Sequence, residues 1–229
     1  MNSIAIIPAR GGSKRILRKN VKLFLGTPMI EHTIKNLLSS KLFEKVIVST
    51  DDEEIADIAV SVGGEVPFLR SLELSRDHIP TAPVIKDMLS NYSQKNYEYC
   101  CCVYPCTPLL NIEDLKFSYQ YMLEKNAFFC YPVIEFPHPI QRALHFDKDG
   151  YMSFLKPEFE LTPTQLLDSF VHDGGQYYWG KVDAWLKGFN MHTKRAVGYK
   201  VPHWRIVDID NEEDWKRAEI MYEVLKKQM

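Results

Sequence analysis

The sequence lacks any run of about 20 apolar residues that could cross a bilayer, and no apolar stretch of signal-peptide length stands at its start. We therefore expect a cytoplasmic protein with no membrane partner. An excess of positive charge is also missing, since the formal net charge is -2, which argues against a nucleic-acid binder held by bulk electrostatics. Repeats, low-complexity tracts and linker-like segments are absent, so the 229 residues predict a single domain, 1–229.

Cysteine is scarce and lacks the spacing of a metal site. The chain has 5 cysteines, and residues 100–102 are consecutive cysteines within the apolar run 99–104, which is typical of a buried strand. No Cys-x-x-Cys pair or matching histidine spacing accompanies them, which argues against zinc. An odd number of strand-buried thiols fits a reducing compartment, and we interpret the cysteines as packing residues.

Two familiar phosphate-binding patterns, G-x-x-x-x-G-K-[ST] and G-x-G-x-x-G, do not occur. The chain opens instead with apolar residues 4–7, which lack polar alternation, as expected of a strand buried on both faces of a parallel sheet. A loop with paired glycines follows Pro8, and its basic residues are Arg10, Lys14, Arg15, Arg18 and Lys19. Gly11 and Gly12 allow backbone amides to approach a ligand, so the loop can form an anion-binding concavity for a polyphosphate. The alternative is a solvated basic loop after an ordinary first strand.

Buried strands alternate with helical patterns along the first half of the chain. A second buried strand is predicted at 46–48 and a short strand or edge segment at 66–68, with a helix over about 53–62 between them. This rhythm predicts parallel strands joined by right-handed crossovers, and therefore an α/β fold. Ligands of such sheets bind beyond the carboxyl ends of the strands, so the basic loop and residues 49–51 are expected on the same rim.

Local signals place several helix termini. Thr27 is predicted to cap a helix that has Pro28 in its first turn. Further helices are predicted from about 81, over about 112–124 after the N-cap Asn111, and over about 212–227. The first helix is predicted to bury Met29, Ile30, Thr33, Ile34, Leu37 and Leu38, and the last to bury Trp215, Ala218, Ile220, Met221 and Leu225.

The pattern changes after Cys130. Residues 136–142 break the strand–helix rhythm, and residues 147–150 have the composition of a hairpin turn. Residues 137–171 are therefore predicted to form an excursion from the main sheet.

Two aspartates near the C-terminal helix are the candidate metal ligands. Asp208 and Asp210 lie two positions apart, so in an extended segment both carboxylates point to one side while Val207 and Ile209 pack on the other. Mg²⁺ is commonly held by one or two carboxylates together with substrate phosphates and water. The alternative is acidic decoration of a helix N-terminus, a role that Asn211 and Asp214 suit better.

A glycine pair, Gly174 and Gly175, precedes an aromatic strand that contains Gln176 and residues 177–179. Paired glycines indicate backbone close to a ligand, and the alternative is a turn into a core strand with stacked aromatic side chains.

The opening stretch 7–15, IPARGGSKR, followed by Lys19 and Asn20, resembles the signature of the cytidylyltransferases that activate sialic-acid-like sugars. Within that family the chain is most similar to the subgroup that acts on pseudaminic acid. The resemblance implies a Rossmann-like, three-layer α/β/α nucleotide-diphospho-sugar transferase fold. It also implies a loop that wraps the triphosphate of CTP, with nucleotide contacts from Ala9, Arg10, Gly11, Gly12, Ser13, Lys14, Asn20, Arg70 and Thr81. For Arg70 the alternative is a surface ion pair.

The resemblance further implies a reaction in which CTP and a 2-keto sugar acid give a CMP-sugar and pyrophosphate. Arg10, Lys14 and Asp210 are the implied catalytic residues, Asp208 and Asp210 the Mg²⁺ ligands, and the excursion at 137–171 the arm of a homodimer. The expected sugar contacts are Tyr104, Gln141, Arg142, Gln176 and Tyr178. Relatives that use ordinary sialic acid typically have glutamine where Tyr104 stands and often arginine where Leu110 stands, so the subgroup for pseudaminic acid is favoured. An N-acylneuraminate cytidylyltransferase and a non-catalytic nucleotide-binding regulator are the alternatives.

Overall fold

The central sheet is built on the strand predicted at the start of the chain. The computed structural model describes residues 2–92 and 96–227. Its strands are β1 Ser3–Pro8, β2 Leu23–Phe24, β3 Thr27–Pro28, β4 Lys45–Ser49, β5 Tyr99–Val103, β6 Phe129–Glu135, β7 Leu144–Phe146, β8 Met152–Phe154, β9 Val171–Asp173, β10 Tyr177–Lys181 and β11 Ala196–Lys200. Its α-helices are α1 Met29–Ser40, α2 Glu53–Ser61, α3 Thr81–Asn91, α4 Ile112–Glu124, α5 Val182–Leu186 and α6 Glu212–Lys226.

The main sheet is mostly parallel. Its strand order is β11-β6-β10-β5-β1-β4, and β9 pairs with β6 as the remaining strand. Strand β1 is parallel to β4 and β5, and β6 is parallel to β11. Strand β10 runs antiparallel to both of its neighbours, β5 and β6, and β9 runs antiparallel to β6. The predicted α/β fold with a mostly parallel sheet is therefore confirmed.

Helices cover both faces of this sheet. Ile4 and Ile6 of β1 belong to a core cluster with Ile85 of α3 and Trp185 of α5. The alternate residues Ala5 and Ile7 belong to a second cluster, formed with side chains of α1, α2 and α4. All four β1 residues are 0% exposed. Successive side chains of a strand point to opposite faces, so β1 contributes to both apolar cores, as β4, β5 and β10 also do, and the layers are α/β/α.

Three helices begin where the sequence predicts. Helix α4 spans Ile112–Glu124, and the side chain of its N-cap Asn111 accepts a hydrogen bond from the Asp114 amide. Helix α6 begins with a complete capping box made by Asn211 and Asp214. Helix α3 begins at Thr81, as predicted.

The predicted start of α1 is wrong. Thr27 and Pro28 form the short strand β3, and the helix begins at Met29 without a side-chain cap. The amides of Met29 and Ile30 donate instead to the carbonyls of Lys22 and Asn20, at 3.0 and 2.9 Å. The basic loop therefore supplies the acceptors that a Thr27 hydroxyl would have provided.

Other local predictions also fail. Leu38 is 39% exposed and Ile220 is 55% exposed, so neither belongs to a buried helix face. Residues 66–68 form no strand, and the edge contact there is an isolated bridge between Ile47 and Glu65.

The segment between β6 and β9 lies outside the main sheet. Strands β7 and β8 pair antiparallel as a separate hairpin, and the Asp147 carboxylate accepts hydrogen bonds from the amides of Asp149 and Tyr151, both at 2.9 Å. The predicted hairpin turn is confirmed. The single domain over 1–229 and the dimerisation role of 137–171 both stay predictions.

None of the helices within the described residues has the length and apolar character that crossing a membrane requires.

Candidate active site

The carboxyl ends of neighbouring strands meet at one rim of the sheet. The Ala9 amide, just after β1, donates to the Ser49 carbonyl at the end of β4, at 2.9 Å. The Gly11 amide donates to Oδ1 of Asp51 at 3.0 Å. The residues that follow these two strands therefore lie together, as the sequence predicts.

A cavity of ≈ 390 Å³ opens at this rim. Its lining residues are Pro8, Arg10, Ser13, Lys14, Arg15, Ile16, Lys19, Asn20, Asp77 and Pro105. The set contains four cations and one carboxylate, so the cavity has the charge that a polyphosphate requires.

Arg10 and Lys14, the two predicted phosphate contacts, converge on one carboxylate. Arg10 Nη1 lies 2.6 Å from Oδ1 of Asp77, and Lys14 Nζ pairs with Oδ2 of the same residue. These contacts from Lys14 and Arg10 hold the pKa of Asp77 below its usual value. The Lys14 side chain is still 78% exposed, so both cations remain at the cavity mouth.

Two other cations of the loop have structural roles. Arg18 forms a fork of hydrogen bonds to the Asp52 carboxylate and also pairs with Glu54, which raises its pKa. Lys19 Nζ donates to the Ile209 carbonyl at 2.6 Å, across 190 residues of sequence. Arg18 thus fixes the loop to the start of α2, and Lys19 fixes it to the segment that contains the aspartate pair.

Three amides of the predicted cradle already have acceptors within the chain. The amides of Ala9, Gly11 and Ser13 donate to Ser49, Asp51 and Gly11 respectively. A Cβ at Gly11 would lie 2.4 Å from Oδ2 of Asp52, whereas one at Gly12 would meet nothing within 4 Å. Gly11 is therefore explained by the approach of Asp52, and only Gly12 fits the predicted open position.

Asn20 also serves the loop itself. Its Nδ2 donates to the Arg10 carbonyl at 2.8 Å, and its Oδ1 accepts from the Cys106 thiol at 3.2 Å. Asn20 is 6% exposed. Burial raises the pKa of Cys106 to about 12, so this thiol stays protonated as a donor. The predicted contact between Asn20 and a nucleotide stays a prediction.

Arg70 is buried rather than exposed, so the surface ion pair is the wrong alternative. Its Nε donates to the Ser75 hydroxyl at 3.0 Å, and its Nη2 lies 3.7 Å from Oδ1 of Asp51. Burial lowers the pKa of Arg70, and the charge of Arg10 acts in the same direction. Arg70 therefore adds a fixed positive charge behind Arg10.

Several predicted sugar contacts cluster beyond the end of β5. The rings of Tyr104 and Tyr178 are 5.4 Å apart, and the hydroxyls of Tyr104 and Thr81 lie 3.4 Å apart. The Tyr104 amide donates to the Gln176 carbonyl at 2.8 Å, and the Tyr178 hydroxyl donates to Asp173 at 2.9 Å. Burial raises the pKa of Tyr178, so this hydroxyl remains a donor. Four predicted residues thus form one polar-aromatic wall.

The neighbouring aromatic residues belong to the core. Tyr177 and Trp179 point to the opposite face of β10 and donate to the carbonyls of Asp114 and Leu115 at 3.0 and 2.9 Å. The glycines before them also have structural causes. A Cβ at Gly174 would lie 2.5 Å from Cδ1 of Ile206, and Gly175 has φ of +65°. For Gly174, Gly175, Tyr177 and Trp179, the alternative of a turn into a core strand is therefore correct.

Gln141 and Arg142 belong to the 3₁₀ turn Ile140–Arg142, which precedes β7. Within the described residues, no hydrogen bond, ion pair or ring contact joins either side chain to Tyr104, Gln176 or Tyr178. Gln141 is buried and its Nε2 donates to the Asp168 carbonyl at 2.9 Å, while its Oε1 has no hydrogen-bond partner among the described residues. Arg142 is exposed. The predicted sugar contacts of Gln141 and Arg142 therefore stay predictions.

The aspartate pair has the predicted alternation. Val207 and Ile209 are 8% and 2% exposed and pack with α6. Partial burial, together with the charge of Asp210, raises the pKa of Asp208. Arg15 Nη1 lies 2.6 Å from Oδ2 of Asp210.

Within the described residues no group of three or more His, Cys, Asp or Glu side chains could hold a metal ion. Two carboxylates on one side of an extended segment nevertheless fit a hard cation that takes its other ligands from phosphate and water.

Three residues of the site carry no recognisable sequence signal. Asp77 and Asp173 are single aspartates in loops. Arg205 pairs with Asp114 at 2.7 Å and accepts a hydrogen bond from Gln176 through its carbonyl, so it fixes the segment before Asp208. The partners of Asp77 and Arg205 are remote in sequence, so only the fold brings them together.

Comparison with known proteins agrees with this architecture. The family model described as Cytidylyltransferase matches residues 4–156. The chain is 35% identical over 226 residues to a pseudaminic acid cytidylyltransferase of Campylobacter jejuni, with 98% of this chain and 97% of that protein covered. It is 30% identical over 219 residues to an N-acylneuraminate cytidylyltransferase of Escherichia coli, with 94% and 51% covered. The solved structure of CMP:2-keto-3-deoxy-manno-octonic acid synthetase complexed with CTP shares the fold, with a TM-score of 0.70, 14% identity and 99% of both chains covered.

The resemblance seen in the opening signature is thereby confirmed over nearly the whole chain. With a family model that spans most of the sequence and a relative at 35% identity, the chain belongs to the cytidylyltransferase family.

Proposed function

We propose that the chain transfers CMP from CTP to a nonulosonic acid, pseudaminic acid in particular, and releases pyrophosphate. The observation that carries this proposal is the bond from Lys19 Nζ to the Ile209 carbonyl, at 2.6 Å. It holds a cationic cavity against the aspartate pair, and a relative at 35% identity is a pseudaminic acid cytidylyltransferase. Five free, buried cysteines support a reducing, cytoplasmic location as part of the same proposal.

The reaction needs stabilised phosphate charge and a positioned nucleophile. Arg10 and Lys14 would bind the triphosphate at the cavity mouth, and Arg70 would add positive charge behind them. The anomeric hydroxyl of the sugar attacks the α-phosphorus in line and forms the new O–P bond, the bond from the α-phosphorus to the oxygen that bridges to the β-phosphate breaks, and the hydroxyl proton passes to solvent water. The released pyrophosphate retains the negative charge that these cations stabilise.

Asp208 and Asp210 would hold Mg²⁺, which supplies Lewis-acid stabilisation of phosphate oxygens when bound. Their donor chemistry fits this ion. Arg15 pairs with Asp210 at 2.6 Å and so compensates the charge of one of the two carboxylates.

Removal of either phosphate cation should impair turnover. Arg10→Ala and Lys14→Ala should each lower kcat/KM for CTP by about tenfold to a thousandfold, because each removes a charge that faces the developing phosphate charge. Initial rates of pyrophosphate release measure this effect. Lys86→Ala, an exposed lysine of α3, is the matched control and should behave like the wild type. Near wild-type kcat/KM in both folded loop variants would disprove the loop assignment.

The aspartate pair should be needed for activity and not for stability. Asp208→Asn and Asp210→Asn should abolish most pyrophosphate release while leaving the thermal unfolding temperature nearly unchanged, because Asn211 and Asp214 already cap α6. Glu213→Gln removes a neighbouring exposed charge and should retain activity. If the pair served only the helix start, each change would instead cost about 0.5–1 kcal/mol of stability with activity intact. Full activity in excess chelator would also count against the metal site.

The wall around Tyr104 and Tyr178 supports pseudaminic acid as the sugar. Pseudaminic acid carries a deoxygenated terminal carbon and N-acyl groups, so it presents a less polar surface there than sialic acid. Two tyrosine rings 5.4 Å apart suit such a surface, whereas the terminal hydroxyls of sialic acid would leave polar groups poorly paired, which is costly. The sugar carboxylate needs a separate partner, and the fork of Arg142 can hold it by two hydrogen bonds.

Sugar selectivity gives the third prediction. The wild type should show a higher kcat/KM for pseudaminic acid than for N-acetylneuraminic acid, measured by pyrophosphate release at saturating CTP. Arg142→Ala should lower kcat/KM with both sugars, since both carry the carboxylate, and Lys148→Ala in the same segment should not. Equal or better use of N-acetylneuraminic acid would overturn the choice of sugar and leave cytidylyl transfer intact. CTP binding without turnover of any nonulosonic acid would favour a regulator.

We further propose that the chain acts as a homodimer through the segment between β6 and β9. Large apolar side chains of this segment are more than half exposed, and they are Leu144, Phe146, Tyr151, Met152, Leu155, Leu161 and Leu166. An exposed apolar surface of this extent is typical of an interface.

Light scattering tests the dimer. The wild type should have the mass of two chains, and the double variant Phe146→Asp, Leu161→Asp should have the mass of one chain, because both side chains are largely exposed here and would be buried between subunits. Ile220→Asp introduces the same charge at another exposed apolar position and should leave the dimer intact. A wild type of single-chain mass at micromolar concentration would contradict the proposal.

A further inference from the structure

Asp77 forms ion pairs with Arg10 and Lys14, the two cations at the mouth of the rim cavity. It lies in the loop between the 3₁₀ turn Glu73–Ser75 and α3. Its Oδ1 lies 2.6 Å from Arg10 Nη1, and its Oδ2 pairs with Lys14 Nζ. Each cation therefore faces one oxygen of the same carboxylate, which is how two oxygens of one phosphate group would also satisfy them.

The surrounding charges explain why a carboxylate is needed there in the absence of a ligand. Within the described part of the chain, Asp77 is the one acidic residue that lines the cavity, against Arg10, Lys14, Arg15 and Lys19. Buried Arg70 adds a further positive charge, and Arg10 disfavours its charged form. A triphosphate brings enough negative charge to replace Asp77, so the two anions compete for the same partners.

The loop does not depend on Asp77 for its position. The Arg70 amide donates to the Thr50 carbonyl at 2.7 Å, and the Ile79 amide donates to the Arg76 carbonyl at 3.1 Å. The Arg70 side chain is held by Ser75. The Asp77 side chain itself is 49% exposed. A change of its charge should therefore alter ligand binding and leave the loop in place.

We propose that Asp77 is an internal competitor of the nucleotide, and that its carboxylate must leave Arg10 and Lys14 before phosphate can bind. Asp77 then sets the affinity for CTP, and it favours release of pyrophosphate by pairing again with the same cations. This inference rests on the proposed function, because it assumes that these cations bind phosphate.

Direct binding measurements test the competition. Dissociation constants for CTP and for inorganic pyrophosphate are measured by calorimetry without sugar, for the wild type, Asp77→Asn and Glu73→Gln. Asp77→Asn should bind both ligands about two- to tenfold more tightly, since two partly exposed ion pairs no longer compete. The gain should shrink at high salt, which screens exposed charges, and in a Lys14→Ala background, which lacks one of the pairs.

Glu73→Gln is the matched control, because it removes a negative charge from the 3₁₀ turn just before this loop, at a residue outside the cavity lining. It should bind like the wild type. Equal or weaker binding by Asp77→Asn, with clear CTP binding by the wild type, would overturn this inference and leave the proposed function intact. A gain of the same size in Glu73→Gln would also overturn it, since the effect would then come from net charge. A wild type that binds neither ligand would overturn the proposed function together with this inference.

Discussion

Burial of β1 on both faces is the constraint on which the rest of the structure depends. Ile4 and Ile6 pack toward α3 and α5, while Ala5 and Ile7 pack toward α1, α2 and α4. A shift of one residue would exchange the two sets of side chains and misfit both cores. The strand must therefore end at a fixed place on the rim, where buried Ala9 bonds to the Ser49 carbonyl. The basic loop starts from that point, so its position follows from the packing of the sheet.

The cations of the basic loop have two roles. Some hold the loop in place, and others face the cavity. Arg18 and Lys19 bind groups of α2 and of the segment before α6, and each contact removes freedom from the loop. Arg10 and Lys14 stay at the cavity mouth, paired with a partly exposed aspartate that a stronger anion can displace. A preorganised site needs both kinds of residue, since charge stabilises a reacting phosphate best when the groups that carry it do not have to rearrange.

Sequence patterns predict those parts of the fold that depend on contacts between residues near one another in the chain. Asn111 and the pair Asn211 and Asp214 cap their helices as expected, because a capping contact spans only three residues. Thr27 fails as a cap because the first amides of α1 are satisfied by the carbonyls of Asn20 and Lys22, a contact that depends on how the loop folds back.

In the candidate site, too, the sequence predicts the residues that form motifs and misses those whose partners are remote in the chain. The basic loop and the aspartate pair are visible as motifs, whereas Asp77 is a lone loop aspartate whose partners lie more than 60 residues away. The aromatic run at 177–179 gave no means of choosing which ring faces the wall, because β10 is buried on both faces. Arg142 is predicted from the chemistry of its guanidinium fork, and the fold places it, exposed, at the end of the 3₁₀ turn before β7.

The central claim is that the basic loop and the aspartate pair bind the same nucleotide from two sides. A crystal structure of the chain with CTP and magnesium tests it most directly. The account predicts triphosphate oxygens on Arg10 and Lys14, Asp77 displaced from both, and the metal ion bound by Asp208 and Asp210 together with phosphate oxygens. A nucleotide bound elsewhere, or a triphosphate bound at the loop with no metal at the two aspartates, would contradict the account.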